Sequence, residues 1–162
     1  MTQPSFQDFY PDSLSHCYGC GKLNEHGHQI KSYWDGDESV CHFIPKPYHI
    51  AIPGYVYGGL LASLIDCHGT GTAAAAMYKS LKDQDPNAEP NTRFLTGSLH
   101  VDYLKPTPID TELEIRAKVK ELKGRKVVIE EWLMANGVIT VRGEVIAVQI
   151  PESMLEELLK GK

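Results

Sequence analysis

Pro53-Gly54-Tyr55-Val56-Tyr57-Gly58-Gly59 runs straight into an apolar, alanine-rich stretch, residues 60–77, that holds one carboxylate, Asp66. Leu60, Leu61, Leu64, Ile65, Ala73, Ala74 and Met77 follow a helical rather than an alternating spacing and predict a long helix from residue 57 to about 79. The glycine-opened start leaves backbone N–H groups free to hold a developing oxyanion, and Asp66 is an acid that the helix would otherwise bury. The four alanines at 73–76 let neighbouring backbone come close, as in a helix wrapped tightly by a sheet.

Working outward, Asp35-Gly36-Asp37 separates two short β-forming runs, residues 29–34 and 38–43, and Pro45 and Pro47 stop the second. Beyond the helix, residues 82–91 with Pro86 and Pro90 read as a polar loop. Four further strands are expected at 96–103, 112–121, 127–135 and 138–149, the last two joined by Asn136-Gly137, a strong type I′ hairpin signal. Leu155, Leu158 and Leu159 place a short helix near 153–160. One long helix and six antiparallel strands give an α+β fold in which a curved sheet wraps the helix. The domain is expected at 15–150, after an arm at 1–14 that packs over it or stays mobile, and before a short helix or tail at 151–162.

At 162 residues with 42% apolar content, the chain suits one globular domain. A net charge of −5 without a basic block argues against nucleic acid as a partner. Residues 60–77 are interrupted by Asp66, His68 and several Gly and Thr residues, which excludes a membrane span there, and no basic start leads into an apolar run near Met1. The expected location is the cytoplasm. Four cysteines are then expected to be thiols. Cys17-x-x-Cys20, with His16, His26 and His28 nearby, raises metal and redox readings. The ligand spacing is irregular for zinc, and the pair precedes the first strand, so a structural loop is expected, with no metal; Cys41 and Cys67 read as small buried residues.

Three tracts resemble the hotdog-fold thioesterases, particularly the phenylacetate-pathway type. The first is Pro53, Gly54, Gly58, Gly59 and Asp66, similar to the helix-opening motif; the second is the strand ending in Tyr103, Lys105 and Pro106-Thr107-Pro108; the third is Cys17-Tyr18-Gly19-Cys20-Gly21 with Asn24 and Gly27. The resemblance implies a hotdog fold, acyl-CoA thioesterase activity without a cofactor, and a homodimer, with dimers of dimers in some members. Two positions depart from the motif: Tyr57 stands where the family usually has His or Asn, and Ala51 where some members have Asn.

Thioester hydrolysis needs a polarised carbonyl and an activated water or a carboxylate nucleophile, roles that fit the Gly58 and Gly59 amides and Asp66. Eight residues of helix separate them by about 12 Å, too far for one chain to grip a single carbonyl, whereas two antiparallel copies bring Gly58 of one beside Asp66 of the other. Thr70, one turn on, shares the Asp66 face as a helper or as a packing hydroxyl, and His68, about 200° around, does not. Tyr55, Tyr57, Leu61 and His49 are expected to line the acyl site. Lys79, Lys82, Arg93 and Lys105 are candidates for coenzyme A phosphates. The alternatives are a non-catalytic acyl-CoA-binding module, favoured by Tyr57 and Ala51, and an enoyl thioester hydratase pairing Asp66 with His49 or His68.

Overall fold

The computed structural model describes residues 3–89 and 93–160. Its long helix, α1, spans Gly58–Gln84. It is buried on most sides through its middle, from Leu60 to Met77, rather than along one stripe, because the sheet curls around it. Leu64 and Ile65 are fully enclosed, a burial that stabilises by about 1.5–3 kcal/mol for each such side chain. Helix α1 passes residue 79 and ends at Gln84, just before Asp85 and Pro86, so 82–84 are helical rather than loop; proline, not the first charged residues, sets the stop. Pro90 and Asn91 of the expected loop lie outside the described residues.

Six strands form one antiparallel sheet: β1 Ser32–Asp35, β2 Glu38–Phe43, β3 Phe94–Tyr103, β4 Leu113–Lys123, β5 Lys126–Ala135 and β6 Val138–Gln149, in the order β1-β2-β4-β5-β6-β3. The first strand begins at Ser32 rather than residue 29. Gln29 sits at φ 51, and Ile30 donates its N–H to the Gly19 carbonyl, which commits 29–30 to the preceding loop. Asn136 and Gly137 turn β5 into β6 with φ of 52° and 74°, the left-handed pair that a type I′ turn requires. A short helix, α2 (Glu152–Leu159), seats Leu155 in the interior.

The N-terminal arm packs on the domain as two 3-10 turns, Phe6–Phe9 and Asp12–Leu14. Gln7 is buried and pairs with Ser32, taking its N–H at 2.8 Å and donating to its hydroxyl at 3.3 Å. That bond starts a closed relay. Thr72 gives its proton to the His68 carbonyl, so Ser39 donates to Thr72, His68 Nε2–H donates to Ser39, and Ser32 donates to His68 Nδ1. Burial holds His68 neutral, its pKa pushed down to about 3.

Two edges remain. Strand β1 is short, whereas β3 is ten residues long with its outer backbone groups unpaired and Leu95, Leu99 and Tyr103 exposed. A long open edge of this kind is a template for another strand.

Candidate active site

Helix α1 starts without a side-chain cap: Tyr57 is extended, and its carbonyl accepts from Leu60 and Leu61 at 3.1 and 3.3 Å. The N–H groups of Gly58 and Gly59, first in the helix, have no carbonyl one turn back to receive them, so they stay available to an anionic oxygen. Tyr57 is fixed by its N–H to the His49 carbonyl at 2.8 Å, and its ring folds back over Gly59, where any Cβ would collide with it. From β3, Tyr103 donates its hydroxyl to the Gly58 carbonyl at 2.7 Å.

Asp66 lies two turns along the same helix, half-buried. Thr96 of β3 donates its hydroxyl to Asp66 Oδ1. Burial raises the Asp66 pKa above the usual carboxylate value, Thr96 opposes that rise, and Cys17 adds to it. A register shift between Thr96 and Ser98 lets one strand serve both ends: Phe94 and Thr96 face α1 before it, Val101 and Tyr103 after it. Thus the glycine start of α1 and Asp66 both lie along the open β3 edge.

The other expected residues take varied places. Thr70 donates to the backbone carbonyls of Asp66 at 3.0 Å and Cys67 at 3.3 Å, so its hydroxyl bonds the helix rather than the carboxylate. Leu61 is in the core. His49 takes the Lys46 N–H on Nδ1 at 2.9 Å and packs against His28, Phe43 and Tyr48; burial lowers its pKa. His49 and His68 are therefore both engaged away from Asp66. Tyr55 and Tyr57 are exposed in the single chain. Arg93 stacks on Tyr10 and donates to the Leu14 carbonyl, and with Lys79 and Lys82 it lines a cleft of about 700 Å³ beside the C-terminal half of α1, away from Asp66.

Sequence reasoning missed Thr96 and Glu131, and marked Tyr103 as the aromatic of a strand-end motif without its bond to the Gly58 carbonyl. Glu131 points from β5 at Gly69, fully buried, with neither carboxyl oxygen hydrogen-bonded among the described residues. The alternation Val127, Ile129, Leu133, Ala135 puts residue 131 on the buried face, which is the signal that was there to find it. Burial, with Asp66 nearby, raises its pKa well above the usual value. A carboxyl whose folded pKa is raised contributes stability at pH below its unfolded pKa and loses it as pH rises. Glu131→Gln is therefore expected to raise stability at pH 8, with the gain fading toward pH 4, in denaturant titrations at the two pH values.

Comparison with known proteins locates this architecture. The family model of the thioesterase superfamily matches residues 53–130. A thioesterase superfamily protein from Shewanella loihica shares 46% identity and superposes with a TM-score of 0.66 over 88% of this chain and 100% of its own. The PaaI protein of the E. coli phenylacetic acid degradation operon, 13% identical, superposes with a TM-score of 0.62 over 76% of this chain and 81% of its own, a likeness of fold. Among curated proteins, the acyl-coenzyme A thioesterase THEM4 of Xenopus laevis is 35% identical over 88 residues, 54% of this chain and 33% of that protein. A Candida albicans protein described as mitochondrial is 31% identical over 84 residues, 52% of this chain and 32% of its own length. The chain spans about one third of the length of these curated relatives.

Proposed function

The chain belongs to the thioesterase superfamily, and from that premise we propose that it hydrolyses acyl-coenzyme A thioesters at a site shared by two antiparallel copies. The observation that carries this reading is the placement of a desolvated, Thr96-bonded Asp66 and an uncapped glycine helix start along one open strand edge. In a pair of copies joined through β3, the Gly58 and Gly59 amides of one chain hold the thioester oxygen, and Asp66 of the other takes a proton from water or attacks the carbonyl itself. When water attacks, the tetrahedral oxyanion collapses to the acid as the thiolate leaves and takes up a proton; when Asp66 attacks, the same collapse expels the thiolate and leaves an aspartyl–acyl anhydride, which water then hydrolyses to the acid and the free Asp66 carboxylate. Both routes need Asp66 ionised, so activity rises with pH through its raised pKa.

Two predictions belong to this geometry. Thr96→Val removes a donor that favours the ionised acid, so the acidic limb of the kcat/KM profile is expected to move to higher pH. Gly58→Pro deletes one amide donor at a helix position where proline is tolerated, and the extended Tyr57 suits a following proline. Turnover is expected to fall by about 10²–10³-fold with the melting temperature retained, read by steady-state thiol release and thermal unfolding.

The direct test is thiol release from short, medium, long and aromatic acyl-coenzyme A thioesters. Turnover that scales with enzyme supports hydrolysis. Saturable binding without thiol release would favour the second reading, a ligand-binding module, for which the Tyr57 ring closing over Gly59 is the favouring observation. His49 and His68 have other partners, which weighs against a hydratase. No helix among the described residues is long and apolar enough to cross a membrane. The free thiols fit a reducing compartment, and the cytosol is the proposed one.

A further inference from the structure

Three thiols converge where the proposed hydrolysis uses none of them. Cys17 and Cys20 come from the loop before β1, and Cys67 comes from α1, next to Asp66; their sulfurs lie within 4.8 Å of one another, with Cys17 and Cys67 Sγ 3.7 Å apart. Three sulfurs bound to one ion at the zinc–thiolate distance of about 2.3 Å stand roughly 3.8–4.0 Å from each other, so the spacing already suits a common metal.

The loop is built for this approach. A Cβ on Gly19 would collide with Cys67 Sγ, and one on Gly21 would lie 2.5–2.7 Å from Cys17 and Ser15 backbone atoms. Gly21 N–H to the Cys17 carbonyl at 2.8 Å and Ile30 N–H to the Gly19 carbonyl at 3.2 Å hold it in place. Cys20 and Cys67 are buried and Cys17 half-buried, which leaves an entry path at Cys17.

We propose that Cys17, Cys20 and Cys67 together bind one thiophilic closed-shell metal ion, zinc(II) or copper(I), and so fasten the N-terminal loop to α1 beside Asp66. No fourth His, Cys, Asp or Glu joins the cluster among the described residues. That leaves three-coordinate copper(I), or zinc(II) with one position for an external ligand. The proposal does not depend on the thioesterase reading.

The test uses the reduced full chain under anaerobic conditions, with zinc(II) titrated against a chromophoric chelator and copper(I) against a copper(I)-specific one. One equivalent of at least one ion is expected to bind tightly and to protect three thiols from a disulfide reagent. Cys67→Ser is expected to weaken binding by more than the roughly 10–100-fold cost of losing an outer-shell partner, and Cys41→Ser to leave it unchanged. Should Cys67→Ser fail to fold, Cys17→Ser, on the loop, gives the same readout. Binding of neither ion, binding unchanged by loss of Cys67 or Cys17, or protection of only two thiols would overturn the proposal.

Discussion

Asp66→Asn is expected to lower thioester turnover by about 10²–10⁴-fold, the range that a positioned acid–base group contributes, while leaving the protein at least as stable. Asparagine keeps an oxygen to accept the Thr96 hydroxyl, so the contact between α1 and β3 survives the change. The acid sits where burial raises its pKa, so ionisation opposes folding as pH rises above the unfolded carboxylate value; the neutral amide removes that opposition. Ligand binding without turnover would remain. The check is thiol release beside thermal unfolding at neutral pH. A variant that keeps wild-type turnover removes Asp66 from the chemistry, whatever its stability.

The second large effect is expected at Leu99. Tyr103 marks the Gly58 end of β3 and Thr96 the Asp66 end, so pairing the donors of one chain with the acid of the other sets Tyr103 opposite Thr96. The two-fold axis then passes near His100 and brings Leu99 of each strand beside Val101 of its partner. In the single chain Leu99 is 39% exposed and solvates a charge with little difficulty. In the paired sheet a carboxylate there is desolvated without a partner, which costs several kcal/mol, on the order of 10³-fold in the dissociation constant. Leu99→Glu is therefore expected to be a folded monomer with almost no turnover, read by light scattering and thiol release over a concentration series. A wild-type chain that is monomeric and fully active would contradict the shared site.

The sequence carried the fold in features that act locally. Helical spacing from Leu60 to Met77 and the paired left-handed turn at Asn136-Gly137 need no long-range information, and both appear where expected. Boundaries failed where tertiary bonds compete: the Gln29 side chain donates to the Lys22 and Asn24 carbonyls, which draws 29–30 out of β1. The proposed site was legible at Gly58 and Asp66 because an uncapped glycine start and a carboxylate in an apolar helix are local anomalies. Thr96 had no such signal, being one hydroxyl in a β-forming run whose partner is 30 residues away, and the bulge after it breaks the alternation that would have predicted its face. Cys67 was legible as buried but not as the third thiol beside Cys17, 50 residues earlier.

The most direct test of the shared site mixes two inactive proteins. Gly58→Pro and Asp66→Asn chains, unfolded together and refolded, form mixed pairs in which one site keeps an intact glycine start from one chain and an intact Asp66 from the other. Random pairing is expected to restore about one quarter of wild-type turnover per chain, since half the pairs are mixed and each has one good site of two. Recovery of no activity, with mixed pairs present by mass, would mean that donor and acid act within one chain and would contradict the account.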